Sequence, residues 1–286
     1  MMSSQFGTTY IKADQDFRSI VDVDVTMYPA FGNTKKPYST LRITKEPIVE
    51  NMPTDFKMDL DIAEYSKKTA MQFGKEIGKS TVKLDANHDT VRYRKSGLCN
   101  FITQSMRLAY AKPADVSMVN SGDIRSSREW DSGIITVGNV IEWVPFGNLI
   151  MTLHISGKAL RALVDAMMQK SCAADGKLIA NGEFVHPDGF RYGYERTSEK
   201  KGNLVSLEWT NEKTRSGKEM RDDEKFTLNV NSFIYEAYQT LLAGHGVTVV
   251  QSATSITVDQ AVVNRIEKLK IVSPQLDGRV KLTPRN

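Results

Sequence analysis

The sequence predicts a mixed α/β (α+β) fold of layered mixed sheets flanked by helices. Three observations carry this. Segments with the two-residue alternation of strands and segments with the 3.6-residue period of helices follow one another along most of the chain. The 286 residues are 40% apolar and 25% charged, which supports a sizeable core in one large domain or two modest ones. No internal repeat or low-complexity run breaks the interleaving.

The elements follow in order. Within TTYIKADQDFRSIVDVDVTMY, residues 8–28, Ile20, Asp22 and Asp24 alternate with Val21, Val23 and Val25, a half-buried strand preceded by a shorter extended piece. Residues 29–39, PAFGNTKKPYS, read as a loop and a domain boundary. Ile62, Tyr65, Thr69, Ala70 and Phe73 share one face of a helix over 53–73, with Asp55, Asp59 and Asp61 near its positive N-terminal end and Gly74 and Gly78 beyond it. IGKSTVKL reads as one strand. Leu98, Phe101, Ile102, Ser105, Met106, Ala109 and Tyr110 give residues 96–110 an amphipathic helix. ADVSMVN and NLIMTLHIS are strands, and Ser156 caps a helix burying Leu160, Leu163, Val164, Met167 and Met168. LVSLEW and KFTLNV are strands; IYEAYQTLLA is a helix closed by Gly244; GVTVV is a strand; VDQAVVNRIEKL is the last helix.

Charge and composition narrow the function classes. Thirty-eight basic against 34 acidic side chains leave a net charge of +4 without a basic stripe, which argues against a nucleic-acid binder. Glu199-Lys200-Lys201 reads as a solvated loop. Cys99 and Cys172 are too far apart for a metal knuckle and read as reduced, partly buried thiols. No apolar run is long enough for a membrane span, MMSSQFGTTYIKADQDF lacks the layout of a signal peptide, and VKLTPRN carries no anchor signal. On these grounds the chain is expected to be soluble, with its compartment open.

Residues 120–148, NSGDIRSSREWDSGIITVGNVIEWVPFGN, are the most informative stretch. Asn120 and Ser121 end a strand, Gly122 permits a tight backbone, and Arg125 presents a planar donor fork suited to carboxylate or phosphate. Val144 is held extended by Pro145, and Phe146 sits in the turn before Gly147. A phenylalanine so placed either stacks on a flat ligand ring or plugs the local core; spacing leaves both readings open.

NSGDIR followed by GIITVGNVIEWVPFGNLI resembles the C-terminal domain of 5′-nucleotidases, metal-dependent phosphohydrolases that include UDP-sugar hydrolases and apyrases. VRYRKSGLCNFI, DGFRYGYERTSEKKGNLVSLEW and AVVNRIEKLKIVSPQLDGRV match further family stretches in order, so the resemblance covers about residues 85–281. TYIKADQDFRSIVDVDV is similar to the last strands of the family's preceding metallophosphoesterase domain. The resemblance implies three parts: a strand-rich metallophosphoesterase remnant at 1–28, a linker and hinge helix at 29–78, and a substrate-binding domain at 79–286.

The resemblance also implies roles. Arg92 and Arg125 match arginines that hold the anionic part of a nucleotide. Asn120 matches a residue that contacts the base. Phe146 and Phe233 match the two halves of an aromatic clamp, and Asn148 belongs to the same Pro-Phe-Gly-Asn motif. The sequence departs from the family pattern at three places. Asp123 stands where the family usually has Gly; Gly97-Leu98-Cys99-Asn100 replaces Asn-(Leu/Met)-Gly-Asn; and the loop at Gly244-His245-Gly246 lacks the family's ribose-binding Asp. His245 either replaces that Asp or is a plain loop histidine.

The family's catalysis needs Asp-x-His, Asn-His-(Asp/Glu) and Gly-His-x-His ligands for two metals. The chain has four histidines, His88, His154, His186 and His245, and neither Asp-x-His nor Gly-His-x-His. Asn87-His88-Asp89 copies one motif by letters but lies just before the expected Arg92 strand, and His154 reads as structural. The expectation is therefore no catalytic residue, metal or cofactor in this chain, with two divalent metals in a missing N-terminal domain. The chain alone would bind a nucleotide or nucleoside and hydrolyse nothing. It would be either the substrate-recognition part of a 5′-nucleotidase-type enzyme of nucleotide catabolism, or a free-standing nucleotide-binding module that has lost catalysis.

Overall fold

The computed structural model describes residues 2–5, 8–11, 13, 19–30, 37–172, 177–196, 202–210, 217–250 and 255–283. The chain divides into two compact units, Met1–Lys67 and Lys68–Asn286. Glu199-Lys200-Lys201, expected to be a solvated loop, lies outside the described residues.

The first unit contains two hairpins. β1 (Met2–Gln5) pairs with β2 (Thr8–Ile11), and β3 (Ser19–Tyr28) pairs antiparallel with β4 (Tyr38–Pro47) along all ten residues. In β3 Val21, Val23 and Val25 share a face, opposite Lys45, Ile43 and Leu41, but the expected half-burial does not form: Val23 and Val25 are exposed. The hairpin ends with Tyr28 stacked on Tyr38, their centroids 4.7 Å apart. β4 was not anticipated, because Ser, Thr, Lys and Arg fill the positions between Leu41 and Ile43 and dilute the strand signal. α1 (Phe56–Phe73) forms as expected, but none of its residues is buried, so its periodic apolar face lacks the cover the sequence pattern implied.

The second unit carries the layered fold. Its next elements are β5 (Glu76–Ser80), β6 (Leu84–Asp85), α2 (His88–Tyr93), α3 (Gly97–Arg107), β7 (Val116–Asn120), β8 (Glu129–Trp130), β9 (Gly133–Thr136) and α4 (Val137–Trp143). Then come β10 (Ile150–Ser156), α5 (Gly157–Lys170), β11 (Val185–Asp188), β12 (Phe190–Glu195), β13 (Asn203–Trp209) and β14 (Lys225–Asn231). The unit closes with α6 (Ser232–Ala237), α7 (Gln239–Gly244), β15 (Thr248–Val250), α8 (Val258–Leu269), β16 (Ile271–Val272) and β17 (Val280–Thr283).

A five-stranded mixed sheet in the order β11-β7-β14-β10-β15 lies at the centre. Alternation along its strands feeds two cores. Val116 and Met118 of β7 join Leu160, Leu163, Val164, Met167 and Met168 of α5, as the Ser156-capped pattern predicted. Val119 points the other way, into the core formed by Leu98, Ile102 and Met106 of α3 with Val262 and Ile266 of α8. The sheet is thus sandwiched between helices. Two smaller sheets, β13-β12-β17 and β16-β5-β9, extend the layers.

Several element readings change in the fold. IGKSTVKL is two strands, since Thr81 and Val82 leave the sheet between β5 and β6. Arg92 sits on a helix, α2, and not on a strand. IYEAYQTLLA becomes two short helices broken at Tyr238, which caps both. α4 follows GIIT unforeseen and starts with a capping box, Thr136 Oγ1 accepting from the Asn139 N–H and the Asn139 side chain accepting from the Thr136 N–H. Among the described residues Cys99 and Cys172 form no disulfide; both are buried, and burial pushes the Cys99 thiol up to about 12.

Candidate functional site

Parallel pairing decides where the site forms. β7 and β14 run parallel, so their C-terminal residues Asn120 and Asn231 end at the same edge of the sheet. The antiparallel neighbours β10 and β11 begin at that edge, which brings Asn148 and Glu183, two residues ahead of their strands, beside them. Loops at the carboxyl ends of parallel strands are the usual place for a ligand cleft in open α/β sheets. Here they enclose a cleft of about 380 Å³, lined by Arg92, Asn120, Asp123, Arg125, Phe146, Asn148 and Phe233, with the Asn181–Glu183 loop and Gly122 completing it.

Backbone geometry makes room for the arginine of α2. After β7 the chain enters a 3-10 turn, Ser121–Asp123, held to the 181–184 loop by Ser121 N–H to Phe184 O at 2.7 Å and Gly122 N–H to Gly182 O at 2.8 Å. A Cβ on Gly182, whose φ is +92°, would stand 2.8 Å from Arg92 Nη1, and one on Gly122 would stand 2.6 Å from Asn120 Nδ2. These two glycines let the loops close around the guanidinium. Arg92 is 6% exposed and donates to Ser121 Oγ at 3.3 Å. Burial, and then the nearby Arg125 cation, hold its pKa below the ordinary guanidinium value. Arg125 is exposed, donates to Gly122 O at 3.0 Å and lies 5.0 Å over the Phe146 ring. Among the described residues neither guanidinium forms an ion pair. The next two residues, Ser126 and Ser127, have φ of 91° and 53°, a strained backbone that Trp130 Nε1–H steadies by donating to Ser126 Oγ at 2.8 Å.

The amides form an internal network. Asn120 Nδ2 donates to Gly182 O at 3.1 Å, and its Oδ1 accepts from Asn231 Nδ2 at 2.9 Å. Asn148 Nδ2 donates to Asp123 Oδ1 at 2.5 Å, while its Oδ1 accepts from Ser232 Oγ at 3.4 Å. Asp123 is 3% exposed, and its Oδ2 is buried without a hydrogen-bond partner among the described residues. Burial pushes its carboxyl above the ordinary carboxylate range, against the pull of the Asn231 and Asn148 amides and of Arg125. Phe146 and Phe233 stay 52% and 47% exposed. They are therefore wall residues of an open cleft, and the core-plug reading of Phe146 is set aside.

All six residues singled out from the sequence, Arg92, Asn120, Arg125, Phe146, Asn148 and Phe233, line this one cleft. Glu183 and its loop were missed; the Asn181-Gly182 turn dipeptide was the available signal. His245 caps α7 and is not among the lining residues. His88 pairs with its neighbour Asp89 on the exposed side of α2, His154 is exposed on β10, and His186 is buried. Among the described residues no three His, Cys, Asp or Glu side chains form a set able to hold a metal ion.

A sequence model described as "5'-nucleotidase, C-terminal domain" matches residues 76–241, more than half of the chain. The chain belongs to the 5′-nucleotidase C-terminal domain family. Among relatives of this 5′-nucleotidase C-terminal domain, the trifunctional nucleotide phosphoesterase protein YfkN of Bacillus subtilis is 25% identical over 244 residues, covering 82% of this chain and 16% of the relative. The 5′-nucleotidase of Mus musculus is 26% identical over 255 residues, covering 83% of this chain and 42% of that protein. The chain thus spans less than half of either relative. A solved structure of a 5′-nucleotidase precursor from Thermus thermophilus shares the fold at a TM-score of 0.70, with 23% identity, over 99% of this chain and 54% of that one. No helix among the described residues is long and apolar enough to cross a membrane.

Proposed function

We propose that this chain recognises a nucleoside 5′-phosphate on behalf of a 5′-nucleotidase-type phosphohydrolase acting in nucleotide catabolism. One observation carries the reading: two guanidinium groups that form no ion pair among the described residues and two half-exposed phenylalanine rings converge on a single cleft. Guanidinium forks pair with phosphate oxygens, and ring faces stack on a nucleobase. On this reading residues 1–28 are the tail of a metallophosphoesterase domain, 29–78 a linker with a hinge helix, and 79–286 the recognition domain. The two divalent metals that activate water in the family would sit in the preceding domain. The described residues of this chain do not fit a metal site, so no chemical step is assigned to them.

The test is the shift in melting temperature produced by adenosine 5′-monophosphate. Phe146→Ala and Phe233→Ala each remove one stacking face and weaken binding by about tenfold. Arg125→Ala weakens it similarly. Binding that survives all three changes would place the nucleotide elsewhere. Phosphate release from the same nucleotide, with manganese supplied, should stay at the background rate. A chelator-sensitive release above background would show that this chain carries the chemistry after all.

The buried Asp123 carboxyl favours a second reading, a free-standing binding module adapted to another nucleotide, because a carboxylate beside Arg125 opposes a second anion. Metal-ligand motifs in a continuous reading frame ahead of Met1 would dismiss it.

A further inference from the structure

A second cleft, of about 390 Å³, lies between α8 and the end of α3 and shares no lining residue with the candidate site. One face of α8 supplies Ala261, Asn264, Arg265 and Lys268, spaced i, i+3, i+4 and i+7. The turn after α3 supplies Leu108, Ala109 and Pro113. Lys268 stands in the last turn of α8, where a cation complements the negative end of the helix, so its charge is accounted for by the helix alone. Arg265 has no such account. Its Nε is buried without a hydrogen-bond partner, and among the described residues its guanidinium forms neither a hydrogen bond nor an ion pair.

A guanidinium presents five donors and accepts nothing, and a buried donor left unmet costs stability. The neighbouring polar groups are engaged elsewhere. Ser105 donates to Phe101 O at 2.8 Å, Tyr110 donates to Ile150 O at 3.0 Å, and Asn264 Oδ1 accepts from Gln260 Nε2 at 2.7 Å. Asn264 Nδ2 adds a further donor, and no carboxylate is among the described residues that line the cleft. Two cations and an amide suit a doubly charged oxyanion. The walls of Leu108, Ala109, Pro113 and Ala261 suit a short alkyl chain, and the paired phenylalanine rings of the candidate site have no counterpart here. We propose that this cleft is a second binding site, for a small phosphate monoester with an aliphatic body. The inference does not depend on the nucleotide reading above.

The test reads the Arg265 Nε–H resonance in nitrogen-15 correlation spectra of the full chain, identified by its loss in Arg265→Lys. n-Butyl phosphate should move it saturably and bind at least tenfold more tightly than inorganic phosphate, because the alkyl chain leaves water. Lys268→Met, at an exposed position, should weaken that binding about fivefold. AMP at equal concentration should leave the resonance in place. Calorimetry in an Arg125→Ala background, where the candidate site is weakened, should give the same butyl phosphate affinity, lowered at least tenfold by adding Arg265→Met. A resonance that butyl phosphate does not move, or an affinity unchanged by both Lys268→Met and Arg265→Met, would overturn the site. Equal affinity for inorganic phosphate, tighter binding of hexanoate, or displacement of butyl phosphate by AMP would overturn the assigned ligand class. None of these outcomes bears on the cleft at Arg92 and Arg125.

Discussion

Arg92→Met should abolish the thermal stabilisation produced by AMP while leaving the unliganded domain at least as stable as wild type. Arg92 is 6% exposed, and among the described residues its one hydrogen bond is a 3.3 Å contact to Ser121 Oγ. A buried cation without a carboxylate partner costs stability, and the neighbouring Arg125 adds repulsion, which is why its pKa is depressed. Methionine fills a similar volume without the charge and gives up only that long hydrogen bond, so the unliganded fold loses little or gains. The bound anion loses its buried, charge-assisted donors, which are worth about 1.5–3 kcal/mol, or roughly tenfold to more than a hundredfold in affinity. Melting curves with and without AMP separate the two effects. A variant that still responds to AMP as wild type does would show that Arg92 is structural; one that melts far below wild type without ligand would show that its charge is compensated in the fold.

Acid should destabilise the domain well above the pH at which its carboxylates protonate, through His186. This ring is 1% exposed, and its Nε2 lies 2.9 Å from the carbonyl of Val91, the residue before Arg92. Burial lowers its pKa from the ordinary 6.5 to about 4, with Arg92 adding to the shift and the Val91 carbonyl opposing it. The unfolded chain takes up a proton as pH falls through 6.5, and the folded domain does so only near 4. Stability is therefore full above 6.5 and declines on acidification, by roughly 3 kcal/mol once both states are protonated. Asp123 contributes with the opposite sign: its raised carboxyl makes the fold relatively more stable as pH falls through its folded value. The net slope of melting temperature between pH 7 and 4.5 should be downward, and His186→Gln, which can still donate to the Val91 carbonyl, should flatten it. An equal slope in both proteins would remove His186 as the cause.

Arg92, Asn120, Phe146, Asn148 and Phe233 were assigned to the site through the family resemblance, whereas local constraints by themselves marked Arg125 as an anion donor and left Phe146 open between stacking and core. Pro145 and Gly147 force the turn that presents Phe146, and Gly122 marks the tight backbone before Arg125. The helices α3 and α5 were readable from period, α5 also from its Ser156 cap; the structure adds side-chain caps at Ser96 on α3 and Thr257 on α8 that the sequence reading did not use. β4 and α4 were not, because β4 mixes polar side chains among its apolar ones and α4 is only seven residues long, too short for periodicity to register. Arg92 was read onto a strand because six residues, His88–Tyr93, hold less than two helical turns.

Glu183 marks the boundary most clearly. Nothing local distinguishes it from other loop carboxylates; it becomes a cleft residue only because β11 pairs antiparallel with β7, placing Val185 opposite Asn120. The order of residues alone thus determined the family, the alternation of strands and helices, and the chemical types gathered at the site. Strand order and register decided which loops meet, that Arg92 lies buried beside Arg125, and that Asp123 lost its solvent. Those properties arise from contacts between residues tens of positions apart, and local spacing holds no record of them.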